Sequence, residues 1–211
     1  FIGNDPTRAA HYASQMNAIH YNNNADGSVS VLDMGCGSGN FSLLLRQNFE
    51  GRARIVGFDP AEELIHEART KSAGMDLRFE HAGAASFSAG EKFNIVTSTL
   101  VLPYAEDEDG LRDMFSCAAL HLNKRQLFRS VTFNPEFAPT GERQVANRIF
   151  EDIGGGRMRI SFLRDNDPSQ VQLQVEANRW SQRDYRKALQ GAGYTEGFWL
   201  PLHLNEKSEN I

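Results

Sequence analysis

The chain has 211 residues, of which 40% are hydrophobic and 23% are charged, and a formal net charge of −5. These values are typical of one globular domain with a packed core, and the acidic balance disfavours a nucleic-acid partner. No apolar run approaches the roughly 20 residues of a membrane span, and two cysteines do not make a disulfide framework. We therefore predict a cytoplasmic protein, monomeric or homodimeric, that binds neither nucleic acid nor membrane.

The first two-thirds of the sequence alternates between helix-like and strand-like segments. Residues 6–20 have helical spacing, and we expect residues 1–28 to form a helical lid. Strands are predicted, in chain order, over 29–34, 53–58, 75–80, 93–98 and 126–133. Helices are predicted between them over 38–49 (with Ser38 as N-cap), 60–71 and a segment ending near 122. Such alternation predicts βαβ units and a parallel sheet.

The pattern changes after Asn134. A helix is predicted near 142–150, followed by two alternating strands over 158–163 and 171–175 that we interpret as an inserted antiparallel hairpin. A helix over 180–190 and a strand over 194–200 complete the prediction. The expected fold is α/β: a Rossmann-like, doubly wound, mostly parallel sheet with helices on both faces. We expect one domain over 1–211, divided into a core (29–133), an insertion (134–179) and a C-terminal segment (180–211).

The first predicted strand runs directly into a glycine turn and then a helix. Glycine lets the backbone approach a ligand closely, and the helix directs its free N–H groups at the turn. A dinucleotide-binding turn needs glycine at its first, third and sixth places. Counted from Gly35, the third place is Gly37, but the sixth is Asn40, and Gly39 is fifth. A nicotinamide-dependent oxidoreductase is therefore the weaker alternative.

This Asp-x-Gly-x-Gly-x-Gly pattern, led by Asp33, resembles the first motif of class I S-adenosylmethionine-dependent methyltransferases. The resemblance implies S-adenosylmethionine as cofactor and S-adenosylhomocysteine as product. It implies that Asp33 orders the loop and lies near the cofactor's ammonium group; a purely structural role in the loop is the alternative. The loop residues that we expect at the cofactor are Gly35, Cys36, Gly37 and Asn40.

The second expected cofactor element is Asp59, which lies 20 residues past Gly39 at the end of a predicted strand. A carboxylate there can accept hydrogen bonds from both ribose hydroxyls, although Asp59 also suits the N-cap of the next helix. Pro60 is expected to border the adenine. After the third strand the resemblance implies an acidic residue, but the aligned position is Gly83, so Gly83 and Ala84 would contact the adenine through backbone groups.

The fourth element is the strand and loop over 93–105, in which Asn94 replaces the family's aspartate. Thr97 and Ser98 lie at the strand's carboxyl end, which should face the cofactor crevice. The departures at Gly83, Asn94 and Lys124 motivate a second alternative, a catalytically silent methyltransferase-like interaction protein.

The fuller pattern, including residues 101–105 and 133–135, most resembles small-molecule methyltransferases of the toxoflavin synthase-like type. It implies a small aromatic or heterocyclic acceptor, with oxygen, nitrogen and sulfur all open as the methylated atom. Tyr12, Asn134 and Trp180 are predicted to bind this substrate. Tyr104 and His203 are the predicted catalytic residues, with His203 as general base because an imidazole titrates near neutrality. No metal is expected, because the histidines lack ligand spacing.

Overall fold

The computed structural model describes residues 27–199, apart from residues 138, 140 and 146. The predictions of an N-terminal helical lid, of Tyr12 in the substrate site and of His203 as general base lie outside the described residues. Within the described part of the chain, no helix is long and apolar enough to cross a membrane.

A five-stranded parallel sheet forms the centre of the fold, as predicted. Its strands are β1 (Val29–Met34), β2 (Ala53–Asp59), β3 (Leu77–His81), β4 (Ile95–Thr99) and β5 (Phe128–Val131). The order across the sheet is β3-β2-β1-β4-β5, with every neighbouring pair parallel. The direction in which successive strands are added to the sheet therefore reverses between β1 and β4, and in open α/β sheets such a reversal of strand order marks the ligand crevice.

Helices cover both faces of this sheet, because successive strand residues point to opposite sides. The helices are α1 (Asn40–Asn48), α2 (Glu62–Lys71), α3 (Glu108–His121) and α4 (Gln182–Gly191). On one face Val31 and Ile55 pack with Phe41 and Leu45 of α1. The other face packs against α3 and α4. The doubly wound Rossmann-like fold is thus confirmed.

The segment after β5 differs from its prediction. It is a four-stranded antiparallel sheet rather than a hairpin, built from β6 (Glu142–Val145), β7 (Arg148–Gly154), β8 (Arg157–Leu163) and β9 (Val171–Asn178) in sequential order. The predicted helix near 142–150 is wrong. Val145 and Ile149 are four residues apart, which imitates a helical face, but pairing of β7 with β8 overrides this local pattern.

An apolar inner face holds the antiparallel sheet to the rest of the molecule. Phe150, Met158 and Ile160 are buried there together. Phe133 and Phe137, from the loop after β5, pack edge-on against Phe150, with ring centroids 5.8 and 5.3 Å apart. The loop that leaves the parallel sheet is therefore part of the second sheet's core.

Further differences from the sequence predictions concern residues 194–199 and the starts of two helices. Residues 194–199 form no strand; instead the Tyr194 ring packs against Phe115 and Phe128. Helix α1 has Gly39 rather than Ser38 as its N-cap, with no side-chain cap bond. Helix α2 begins two residues after Pro60, at Glu62.

Candidate active site

The glycine loop after β1 has an open position at its centre. Gly35, Gly37 and Gly39 have φ of 68°, 53° and 76°. A Cβ on Gly35 would lie 2.4 Å from Val101 Cγ2, and one on Gly39 would lie 3.0 Å from Ala68 Cβ. The nearest atom to a Cβ on Gly37 would be 4.0 Å away. Gly35 and Gly39 are therefore needed by the fold, whereas Gly37 leaves space that a ligand can fill.

Backbone hydrogen bonds fix this loop to the end of β2. The N–H groups of Gly35 and Cys36 both donate to the Phe58 carbonyl, at 2.8 and 3.0 Å. The Cys36 side chain is buried, and burial together with the nearby Asp33 and Asp59 raises the pKa of its thiol. Cys36 is thus a neutral packing residue beside the loop rather than a reactive thiolate.

Asp59 joins the loop to helix α2. Its Oδ2 accepts a hydrogen bond from the Gly37 N–H at 2.9 Å, and its Oδ1 accepts one from the Ala61 N–H at 2.9 Å. The N-cap residue of α2 is Ala61, so Asp59 spans the turn before the helix rather than capping it. Because each carboxylate oxygen has two acceptor sites, both oxygens can still accept a hydroxyl. The ribose contact remains a prediction.

Asp33 and Thr97 form a buried polar pair next to the loop. They are partners in the β1–β4 register, and both are buried. Asp33 Oδ2 accepts a hydrogen bond from Ser42 Oγ at 2.5 Å. Desolvation raises the pKa of Asp33 to about 7, although the Ser42 hydrogen bond lowers it and Asp59 raises it further. The Thr97 hydroxyl has no partner among the described residues.

Two other predicted cofactor residues have their side chains engaged elsewhere. Asn40 Oδ1 accepts a hydrogen bond from Lys71 Nζ at 2.8 Å. Ser98 Oγ donates to Ser130 Oγ at 2.8 Å, on the sheet face opposite Thr97. Any contact that these two residues make with a cofactor would have to come from their backbone or from the remaining side-chain atoms.

The loop after β3 lies beside Asp59. The Ala82 N–H donates to the Asp59 carbonyl at 3.1 Å, which brings Gly83 near the end of β2, where Pro60 also lies. A Cβ on Gly83 would meet nothing within 4 Å, whereas Ala84 packs against the core. This arrangement leaves space at Gly83 for a flat group, and adenine contact at Pro60, Gly83 and Ala84 stays a prediction.

On the acceptor side, the structure brings two of the predicted substrate residues together. Asn134 and Trp180 line one cavity of about 10 Å³ beyond the carboxyl ends of β4 and β5. Tyr104 lies in a 3-10 turn, Leu102–Tyr104, with 40% of its surface exposed, and does not line this cavity. Burial raises the pKa of its phenol. Tyr104 is therefore a neutral hydroxyl at neutral pH rather than a ready base.

Sequence reasoning missed two residues at this end of the molecule. Arg179 lines the same cavity as Trp180, and Val101 fills the space beside Gly35. The sequence did contain a signal for Arg179, because the polar residues Asn178, which ends β9, and Arg179 lie directly before Trp180. Nothing in the sequence indicated the role of Val101, which depends on the chain turning back at Leu100 with φ of 57°.

No group of three or more histidine, cysteine or acidic side chains within the described ranges is arranged to hold a metal ion. The polar groups at the loop are instead backbone N–H groups, two carboxylates and a buried hydroxyl.

Comparison with known proteins agrees with this geometry. Residues 31–125 match a protein-family model described as a methyltransferase domain. That range runs from β1 to just before β5 and so includes the glycine loop, Asp33 and Asp59. None of the curated proteins matches the sequence.

Several solved structures share the fold. An S-adenosylmethionine-dependent methyltransferase from Clostridium acetobutylicum is 20% identical, with a TM-score of 0.62, over 88% of this chain and 78% of that one. The CcbJ methyltransferase from Streptomyces caelestis is 15% identical, with a TM-score of 0.70, over 89% of this chain and 79% of that one. CalS10, an amino pentose methyltransferase from Micromonospora echinaspora solved with the cofactor bound, is 19% identical, with a TM-score of 0.63, over 88% and 81%.

At these identities the structural likeness is one of fold, whereas the family match covers the residues that form the loop. The loop geometry suits the cofactor, because Gly37 offers the open space and Asp33 and Asp59 offer the acceptors. Residues 31–125 thus match a methyltransferase domain, and the chain is an enzyme whose cofactor is S-adenosylmethionine.

Proposed function

We propose that this enzyme transfers the methyl group to a small aromatic or heterocyclic metabolite bound beyond the carboxyl ends of β4 and β5. The observation that carries the proposal is the group of aromatic and polar side chains around a small cavity there, whose volume of about 10 Å³ admits one atom of the metabolite rather than its ring. The cavity walls include the rings of Phe133, Phe137 and Trp180, with Asn134 as a polar group. Apolar and aromatic walls with few polar groups are typical of sites for small planar ligands.

The sulfonium of the bound cofactor supplies an already activated methyl group, so this chain's residues chiefly bind, orient and exclude water. Gly37 and Asp59 would hold the cofactor's ribose side, and Asp33 its ammonium group. Asn134 and Trp180 would align the acceptor, while Tyr104 and His203 remain the proposed catalytic residues. A general base such as His203 helps where the acceptor is a hydroxyl, whereas a ring nitrogen or a thiolate already has a free lone pair and needs only alignment.

An amino sugar is the second candidate acceptor. Two of the structural neighbours are named as an amino pentose methyltransferase and a sugar N-methyltransferase. A sugar amine attacks only in its neutral form, so a protonated amine must first lose its proton to solvent or to a general base. The two candidates differ in shape, because a sugar is not planar.

The test is a methyl-transfer screen with S-adenosylmethionine against planar heterocycles and amino sugars, read by mass spectrometry as the addition of one methyl group. Methylation of planar compounds alone supports the proposal, and methylation of amino sugars alone contradicts it. For the active compound, Tyr104→Ala and His203→Ala should lower turnover while cofactor affinity stays within about twofold. If both variants instead abolish cofactor binding, or leave turnover unchanged, the acceptor site lies elsewhere.

We propose, on the sequence features alone, a toxoflavin synthase-like subtype, a cytoplasmic location and a monomer or homodimer without a nucleic-acid partner. Sedimentation and fractionation of the expressed protein test the assembly and the location directly.

A further inference from the structure

The cavity beyond β5 contains two buried hydrogen-bond donors without partners. Arg179 Nε and Trp180 Nε1 are both inaccessible to solvent, and neither has a partner among the described residues. Both residues line the cavity. A buried N–H without a partner is unfavourable, so two such groups lining one cavity point to a group that binds there.

The other polar side chains around the cavity have hydrogen-bond partners. Asn134 Oδ1 accepts from the Glu136 N–H at 3.0 Å, and the Tyr185 hydroxyl bonds Thr132 Oγ1 at 2.8 Å. Asn178 Nδ2 donates to the Ala105 carbonyl at 2.6 Å. Both unpartnered atoms are N–H donors, so a group that binds in the cavity must provide a hydrogen-bond acceptor.

The size of the cavity and the charges around it restrict which hydrogen-bond acceptors can bind there. The cavity is about 10 Å³, close to the minimum that one oxygen atom of a water needs. The positive charge of Arg179 is already balanced, because its Nη2 lies 3.1 Å from Asp152 Oδ2. A single neutral oxygen fits these conditions, whereas a carboxylate would bring a second oxygen and an uncompensated negative charge.

We infer that this cavity receives a neutral carbonyl oxygen of the methyl acceptor, with Trp180 Nε1–H and Arg179 Nε–H as its hydrogen-bond donors. The inference rests on the proposed function and refines it: the acceptor is a planar ring that carries a carbonyl group remote from the methylated atom. The rings of Phe133 and Phe137 and the side chains of Pro103 and Pro135 provide the surrounding apolar wall. Trp180 and Arg179 thereby become specificity-determining residues.

The experiment compares three small probes on protein saturated with S-adenosylhomocysteine: 1-methyl-2-pyridone (a carbonyl without N–H), benzoate and benzylamine. The chain has two tryptophans, so in a Trp199→Phe variant the emission of Trp180 alone reports on the cavity. We expect the pyridone to shift this emission and to bind about fivefold to tenfold more tightly than benzoate, with no binding of benzylamine.

Ligand-observed NMR then tests the donors. Trp180→Phe removes the N–H but keeps an aromatic ring, and Arg179→Lys keeps the charge beside Asp152; each should weaken pyridone binding about fivefold or more. Trp199→Phe is the matched control and should bind the pyridone like the unmodified chain. Equal or tighter binding of benzoate or benzylamine, absence of pyridone binding, or unchanged pyridone binding in both donor variants overturns the inference.

Calorimetry with S-adenosylhomocysteine separates this failure from failure of the proposed function. A chain that binds the product but not the pyridone contradicts only the carbonyl site, whereas an unmodified chain that does not bind the product contradicts the methyltransferase proposal itself. Unchanged product affinity in Trp180→Phe and Arg179→Lys also shows that these variants are folded.

Discussion

The glycine loop and the antiparallel sheet use their residues in different ways. At the glycine loop each position requires a particular residue type. Gly35 must lack a Cβ because Val101 is too close, and Asp59 must accept hydrogen bonds from two backbone N–H groups. In the antiparallel sheet Phe150 and Ile160 meet a general demand for apolar volume. A loop that binds one fixed cofactor requires the same residues at the same positions, so it can be identified in a sequence. The acceptor side requires only an apolar surface of suitable shape, which many different sequences can form.

The strongest test of this separation is Phe150→Ala. Phe150 is buried and contacts the rings of both Phe133 and Phe137, so its truncation should cost about 3–5 kcal/mol of unfolding free energy. Product affinity measured by calorimetry should nevertheless change by less than about twofold, because the loop lies on the other sheet. Phe198→Ala is the control, since Phe198 is 83% exposed. A parallel loss of product affinity in Phe150→Ala would show that the two regions are one energetic unit.

The loop itself can be divided by two glycine substitutions. Gly35→Ala places a Cβ 2.4 Å from Val101 Cγ2 and should destabilise the fold by about 2–4 kcal/mol from overpacking and positive φ. Gly37→Val should leave a folded protein, less stable by about 1–2 kcal/mol, that has lost about 100-fold or more in cofactor affinity because its side chain occupies ligand space.

Thermal unfolding and calorimetry distinguish the two glycine effects. Gly51→Val, at another positive φ with nothing within 4 Å of a Cβ, controls for backbone strain alone. Unchanged cofactor affinity in a folded Gly37→Val variant would remove the loop from the binding site.

Asp59→Ala tests whether one carboxylate serves both the loop and the cofactor. We expect cofactor binding to weaken by about 1.5–3 kcal/mol, the scale of hydrogen bonds to a charged group. Stability should also fall, because the Gly37 and Ala61 N–H groups lose their acceptor. Asp59→Asn keeps one acceptor oxygen, so its cofactor affinity and its stability should lie between those of the unmodified chain and those of Asp59→Ala. A variant that unfolds early but binds the cofactor normally would assign Asp59 to the turn alone.

A further expected effect, seen only when pH is varied, is a pH dependence of stability from Asp33. Burial raises the pKa of this carboxyl from 3.8 to about 7. Between these values the folded chain holds the proton and the unfolded chain has lost it, so stability falls as pH rises, by about 1.4 kcal/mol per pH unit, and levels off above pH 7. In Asp33→Asn, whose amide oxygen can still accept from Ser42, this contribution disappears.

Urea unfolding of both chains between pH 5 and 8 measures the Asp33 contribution as their difference. Ser42→Ala serves as control, because it removes a bond that lowers the pKa and should leave the slope in place. Identical pH profiles for the unmodified chain and Asp33→Asn would contradict a raised pKa.

The sequence predicts best those structural features that depend on residues close together in the chain. The turn at Gly35–Gly39 and the position of Asp59 depend on strand ends and short spacings, and both are in place. The strand pairing of β6 and β7 depends on partners distant in sequence, so the local spacing of Val145 and Ile149 misled the prediction. Asn134 and Trp180 line one cavity, although their contact with a substrate stays a prediction, and the unpartnered Nε of Arg179 emerges only from three-dimensional packing.

The contact between Gly35 and Val101 also has an evolutionary consequence. The two residues come from different strand ends, β1 and β4, yet the space at one is filled by the other. A change at position 101 to a smaller residue would remove the steric clash with a side chain at position 35, although the φ of 68° there would still disfavour any residue other than glycine. Mutations at these two positions therefore depend on one another, so a change at one position favours a compensating change at the other. The outer face of the antiparallel sheet carries exposed ion pairs such as Arg159–Glu151. Substitutions there should be tolerated independently of one another.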